Sequence, residues 1–343
     1  MIKKILLLCA SLMMFNLSAV LCTAAASPDN AKVNLVWQPI VDGDNDLSQI
    51  EKLPGVNVVS PSWLTIKSAD GKIEDKSDYL YAVYAQKKGY KVWPLITNDF
   101  NAEMTHKWLH DETARRYIIR QLIWLARSYP IDGYNFDLEN IYDSDRDALS
   151  TFIEEAAREL KRQGLTLSMD VTVKSNTANW SSCYDRARLG RALDYIVLMA
   201  YDEHGRLSKT AGSVASLPWV ENGVKSLAAE VPHEKIILGV PLYMRLWQED
   251  GKGKVSASTL SMPAAQNLIR QKKLKPVWLA QKGQRYFTYS ENGRTYKVWQ
   301  ENAESLKLKA ALVNKYNLAG TAAWRKGFET ADVWQVIDRE INK

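Results

Sequence analysis

Eight short apolar runs, each followed by a helix-like segment, leave this chain few ways to fold. The runs are Asn34–Ile40, Val56–Ser60, Lys91–Thr97, Tyr134–Glu139, Thr166–Val171, Tyr195–Ala200, Lys235–Val240 and Gly320–Trp324. Alternation of this kind argues for a parallel α/β architecture. Eight rounds of it predict a (β/α)8 TIM barrel, in which catalytic groups stand at the carboxyl ends of strands. Glu139 falls at such an end. The helical segments agree with this reading. Asp111–Tyr129 carries Ala114, Ile118, Leu122 and Leu125 on one stripe. The next, from about Ser144, carries Leu149, Phe152, Ile153, Ala156 and Leu160, and stops at Gly164, a residue type favoured just past a helix end.

The rhythm breaks between residues 247 and 301. This stretch contains YFTYSENGRTYKVW, two aromatic-rich strands around Asn292-Gly293, a strong hairpin signal. It reads as a small α+β insertion between strand seven and the penultimate helix.

One decapeptide carries most of the chemistry: Ile131 to Asn140, IDGYNFDLEN. As a strand it puts Tyr134, Phe136 and Leu138 on one face and Asn135, Asp137 and Glu139 on the other, at about 6.6–7 Å spacing. Acidic side chains are depleted from strands and costly to bury. An edge strand with one wet face is the plain explanation. The alternative is a carboxylate pair close enough to interact, in which like charge raises one pKa and keeps a proton donor at neutral pH.

DGYNFDLE resembles the DGxDxDxE signature of glycoside hydrolase family 18, the chitinase-like enzymes. It is most similar to the DGxNxDxEN form of bacterial cell-wall and spore-cortex N-acetylglucosaminidases. VNVVSPSW (Val56–Trp63), KVWPLITN (Lys91–Asn98), YIVLMAYDEHG (Tyr195–Gly205), IILGVPLYMRLW (Ile236–Trp247) and AGTAAWRKGFET (Ala319–Thr330) resemble the family's strand-end blocks in the family's order.

The resemblance implies a substrate-assisted retaining mechanism, an exception to the two-carboxylate scheme. The sugar's own 2-acetamido oxygen attacks the anomeric carbon. Glu139 is then the general acid and later the base, and Asp137 orients the acetamido group. Tyr201 matches the tyrosine whose hydroxyl bonds the acetamido carbonyl. Asn135 stands where the commoner pattern has a third acid; an amide cannot take up a proton, so it would serve as a hydrogen-bond partner. Met199 and Asp202 belong near the sugar, Trp324 matches the tryptophan flooring the cleavage subsite, and Tyr243 and Arg245 would line the groove, Arg245 having an ion-pair role as its rival. In the insertion, Trp247, Trp278, Tyr286, Tyr289 and Trp299 are candidate sugar-stacking residues, with the insertion's own core as the competing role for most of them. Trp63 and Trp93 read as core. The expected activity is a β-N-acetylglucosaminidase cleaving β-1,4 linkages in peptidoglycan or chitin-type glycans, with peptidoglycan preferred because of Asn135. A non-catalytic, lectin-like member of the family is the rival, and Glu139 argues against it. Whether cleavage is internal or terminal is open.

The remaining features set the context. Residues 1–26 read as a signal peptide: Lys3 and Lys4, an apolar core from Ile5 to Leu21, and a small-residue site at Ala24-Ala25-Ala26. An uncleaved anchor or a lipid attached at Cys22 are the alternatives. The catalytic domain would then run 27–343, secreted or in a bacterial cell envelope, monomeric and without stable membrane association. Of three cysteines only Cys183 lies past the signal, which excludes an intrachain disulfide in that domain and a cysteine metal cluster. The formal charge of +6 drops to +4 without Lys3 and Lys4, too mild an excess for a nucleic-acid partner. Asp42-Gly43-Asp44-Asn45-Asp46 begins like a calcium loop but lacks its glycine and final glutamate. His106 and His110 are spaced i,i+4, but Lys107 stands where a zinc peptidase needs glutamate. No metal and no cofactor are expected.

Overall fold

The computed structural model describes residues 31–40 and 50–343. The signal segment 1–26 and the Asp42–Asp46 turn lie outside the described residues. Eight parallel strands close into a (β/α)8 barrel. The first, Val33–Gln38, pairs with the last, Gly320–Trp324, in the register Val33↔Gly320 to Val36↔Ala323. A Cβ at residue 320 would lie 1.8 Å from the carbonyl oxygen of Val33, so only glycine lets the two strands meet here. Strand two is split into Val58–Pro61 and Leu64–Ile66, and strand three into Lys91–Val92 and Leu95–Thr97. Pro94, which has no N–H to give a ladder, sits in the second break. Both halves still pair with each other, Val58↔Lys91 and Leu64↔Ile96, so the barrel wall is continuous.

The other strands are Gly133–Asp137, Thr166–Thr172, Tyr195–Met199 and Ile236–Pro241. Each of the eight expected runs thus holds a barrel strand, with ends shifted by two residues at most, except that the second half of strand two, Leu64–Ile66, lies beyond the expected Val56–Ser60. The alternation of side chains divides the core in two. Leu35, Trp37, Val58, Trp93, Leu95, Val197, Ile237 and Ala322 fill the barrel, with Trp93 stacked on Tyr195 at 5.8 Å. Val36, Tyr134, Phe136, Leu138 and Ile196 point outward, under the helices.

Helix Glu112–Ser128 is capped by Asp111, whose carboxylate accepts from the Thr113 N–H at 2.8 Å. Arg146–Lys161 follows a short turn of 3-10 helix, Asp143–Asp145. Among the described residues no helix is long and apolar enough to cross a membrane.

Between strand seven and helix Ala303–Lys315 lies a five-stranded antiparallel sheet with one helix, Met262–Gln271. Its strands are Tyr243–Asp250, Val255–Ser261, Val277–Leu279, Gln284–Glu291 and Arg294–Gln300. Asn292 and Gly293 both have positive φ, 51° and 70°, as a two-residue hairpin turn of the primed type requires. The sheet starts at Tyr243 rather than near 247, which makes Tyr243 and Arg245 its residues. Its join to the barrel is buried: Lys309 Nζ lies 2.8 Å from Glu301 Oε2, both side chains fully inaccessible.

Candidate active site

The fourth strand delivers what its pattern predicts. Tyr134 and Phe136 anchor its outer face: the Tyr134 hydroxyl donates to the Leu122 carbonyl at 2.7 Å, and Phe136 meets Phe152 edge-on. Asn135 and Asp137 therefore project into the barrel. Glu139 sits two residues past the strand's last residue, held instead by Asn98 from strand three's end. Asn98 Oδ1 accepts the Glu139 N–H at 3.1 Å, and its Nδ2 donates to the Glu139 carbonyl at 2.7 Å and to Thr105 Oγ1 at 2.9 Å. Asn140 then turns the chain with φ 50°, a region asparagine tolerates, and donates to the Phe100 carbonyl.

Asn135 is fully buried, and its amide is consumed by the protein. Its Oδ1 accepts from the Trp37 indole at 2.7 Å. Its Nδ2 donates to Ser168 Oγ at 3.0 Å and to Asp170 Oδ1 at 2.7 Å. Asn135 is also expected among the substrate-binding residues; its polar atoms have protein partners and it is not among the residues lining the cavity. Asp170, on the fifth strand and 2% exposed, is a carboxylate that the sequence reading passed over.

At the end of the sixth strand and just past it, Met199, Tyr201 and Asp202 reach the same cavity as Asp137 and Glu139. Asp202 has φ 61° and holds two partners from the insertion's first strand: it accepts from the Tyr243 hydroxyl at 2.8 Å and from Arg245 Nη2 at 2.7 Å. Arg245 also donates to Thr259 Oγ1 and lies 4.9 Å over the Tyr243 ring. So the ion-pair role weighed for Arg245 and the lining role coincide. Trp324, edge-on to Trp37 at 5.8 Å, forms an apolar wall.

Burial dominates the electrostatics. It pushes Asp137 up to about 7. It lifts Glu139 well above its ordinary range, with the charges of Asp137 and Asp202 adding to the effect. It lifts Asp170 likewise, reinforced by Asp137 and opposed by the Asn135 hydrogen bond. Three carboxyls that repel one another titrate as one set, which retains protons at neutral pH. Oδ1 of Asp137 is buried and has no hydrogen-bond partner among the described residues.

Residues 41–328 match the family model for glycosyl hydrolases family 18. The chain belongs to that family. It is a glycosidase with the family's chitinase-like barrel. It is similar to the "Uncharacterized glycosylase YvbX" of Bacillus subtilis (strain 168), 29% identical over 278 residues, 78% of this chain and 80% of the relative. It is 26% identical over 257 residues to the "Cortical fragment-lytic enzyme" of the same strain, 72% of this chain but only 59% of that longer protein. Among solved structures, a chitinase from Chromobacterium violaceum ATCC 12472 superposes with a TM-score of 0.82 at 26% identity, over 91% of this chain and 100% of that one.

In this family 18 chain the cavity over Asp137 and Asp170 measures about 320 Å³ and is completed by Phe100, Thr259 and Phe328. A second, of about 450 Å³, has Trp180, Trp219 and Lys174 in its wall. The two share Glu139, Met199, Tyr201 and Asp202, so Glu139 stands at their junction. Sequence reasoning missed Asp170, Trp180 and Trp219. An acid inside the apolar run LSMDVTV was a visible signal for the first, and a tryptophan in the polar loop SNTANWSS for the second. None of the insertion's five aromatic candidates lines either cavity. Trp247 is buried with its indole on the Gly212 carbonyl, Tyr286 packs on Trp299, and Tyr289 stacks on Tyr296. Trp63 and Trp93 are core, 1% and 2% exposed. His106 and His110 converge on the buried Asp145 carboxylate, each 2.9 Å from its Oδ1, three donors a metal could share. Hydrogen bonds already account for all three side chains.

Proposed function

We propose that this glycosidase cleaves β-1,4 linkages after N-acetylglucosamine by a substrate-assisted retaining mechanism. The observation that carries the reading is that Asp137, whose buried Oδ1 has no partner among the described residues, lines one cavity with Glu139 and Tyr201. An acetamido N–H is the donor such an acceptor needs, and burial of a lone acceptor otherwise costs about 1–3 kcal/mol. With the acetamido group held there, its carbonyl oxygen meets the Tyr201 hydroxyl and turns toward the anomeric carbon. Glu139, kept protonated by burial, gives its proton to the glycosidic oxygen. The resulting oxazolinium charge faces Asp137. Glu139, now an anion, takes a proton from water, which opens the ring intermediate with retention.

Trp324 offers its indole to one sugar and excludes water from the reacting centre, while Trp180 and Trp219 offer apolar faces beyond Glu139. Asp202, bonded to Arg245 and Tyr243, lies close enough to add to the upward shift of Glu139 and so helps keep it a weak acid. A bacterial cell-wall glycan is the preferred substrate class, a choice supported by the cortical fragment-lytic relatives and by the DGxNxDxEN form of the motif, and the N-terminal segment fits export to the envelope. A purely sugar-binding, lectin-like role is disfavoured by Glu139 itself. The test is Glu139→Gln on purified peptidoglycan and chitin oligomers. Turnover falls roughly 10²–10⁴-fold while glycan binding by calorimetry persists; substantial residual hydrolysis overturns the assignment.

A further inference from the structure

The motif's missing acid has a counterpart one strand away. Asp137 and Asp170 follow the register pair Phe136↔Met169 on adjacent parallel strands, so their side chains leave the same inner face about 4.8 Å apart at the backbone. Both line the cavity. Asn135 donates to Oδ1 of Asp170 and leaves the other oxygen of that carboxyl free to hold or accept a proton. An aspartate at 135 would set two carboxyls in contact there, and one would have to stay protonated to make the bond. Asparagine beside Asp170 supplies the hydrogen-bond donor without a further charge.

We propose that Asp170 is the inner acid of this site, a positioning residue that exchanges one proton with Asp137 across the fourth and fifth strands. This rests on the reading of Asp137 given above. When Asp170 takes the proton, Asp137 is an anion facing the oxazolinium charge; when that charge disappears, the proton returns. Nothing is gained or lost in the exchange.

The surroundings favour sharing over double ionisation. The titratable groups facing Asp170 are Asp137 and Glu139 from the fourth strand's end, Tyr201 and Asp202 from the sixth, and Tyr243 and Arg245 from the insertion. Among the described residues the sole cation in that wall, Arg245, is engaged by Asp202. Two neighbouring carboxyls without a counter-ion keep a proton between them.

The test compares wild type, Asp170→Asn and the exchanged pair Asn135→Asp/Asp170→Asn, by kinetics on a chitin oligomer and by NMR titration of 13C-labelled aspartate carboxyls. In Asp170→Asn we expect kcat to fall roughly 10²-fold with KM within about threefold, because the interaction acts on the transition state. One of the two linked carboxyl steps vanishes from the titration. In the exchanged pair a second step returns and at least about tenfold of the kcat is recovered. An Asp137 titration identical in wild type and Asp170→Asn overturns the proposal, as does a kcat unchanged within about threefold or a loss the exchange does not repair. The carboxyl titration needs no turnover. Failure of the assigned reaction, seen as an inactive wild type with a normal two-step titration, is therefore distinct from failure of the proton-sharing pair.

Discussion

Asn98 grips Glu139 by both of its backbone polar groups, accepting its N–H and donating to its carbonyl. Glu139 thus owes its place to a neighbouring loop, since the strand hydrogen bonds stop at Asp137. Asn98→Ala leaves two backbone groups and Thr105 without this partner. The variant should lose about 1–3 kcal/mol of stability, read by urea unfolding. Its kcat should drop roughly tenfold or more, as expected for a misplaced acid. Full kcat in a folded Asn98→Ala enzyme would show that Glu139 is held by other means.

The raised carboxyls set a pH dependence of stability. Asp137 has a folded pKa of about 7 against an ordinary 3.8, so the folded state binds the proton more tightly than the unfolded chain. That contribution is fully present below the ordinary value and is lost as pH rises through about 7, on the order of 4 kcal/mol when complete. Asp137→Asn removes the ionisation. It should raise Tm by several degrees at pH 8 and change it little near pH 4, while turnover collapses. Equal Tm differences at both pH values would contradict this.

Activity should follow the same groups in reverse. Glu139 must be protonated to act as acid, and burial with the Asp137 and Asp202 charges raises its pKa. The rate should hold through neutral pH and decline on the alkaline side. Asp202→Asn removes one of those charges, so its alkaline limb should move to lower pH; a limb that stays in place would argue that Asp202 does not act on Glu139.

The insertion is fixed to the barrel by Glu301 and Lys309, with Gln284 and Ser305 completing the Glu301 carboxylate's bonds at 2.6 and 2.7 Å. Lys309→Met strands a buried charge and should cost about 3–5 kcal/mol. The double variant Glu301→Leu/Lys309→Met should recover much of that. Thermal unfolding of the set decides it, and a Lys309→Met variant as stable as wild type would refute the account of this joint.

Chelation should leave hydrolysis unchanged, because every step assigned here runs through carboxyl, hydroxyl and amide groups of the chain. Assays with and without EDTA check this; lost activity restored by zinc would point to the His106, His110 and Asp145 cluster.

The architecture was legible because strand and helix periods differ, and eight apolar runs can be counted. The Asp137–Glu139 pair was legible because its spacing puts it on one face. What escaped has a common cause: it depends on which strands become neighbours. Asp170 lies 33 residues beyond Asp137 in the sequence, and nothing local says that it faces Asn135. Trp180 and Trp219 share a cavity with Glu139 only because the short helix Ala178–Ser182 and the helix Leu217–Ala228, far apart in sequence, border the same space. Most of the insertion's aromatics take the core role weighed for them: a sheet with ring pairs of its own needs no sugar to cover them.

The central claim is that the substrate supplies its own attacking oxygen to a site built on Asp137 and Glu139. The direct measurement is kcat/KM on a chitin oligomer against the same oligomer stripped of its N-acetyl groups. The account predicts a loss of at least about a thousandfold without the acetamido oxygen. Comparable rates on both would contradict it.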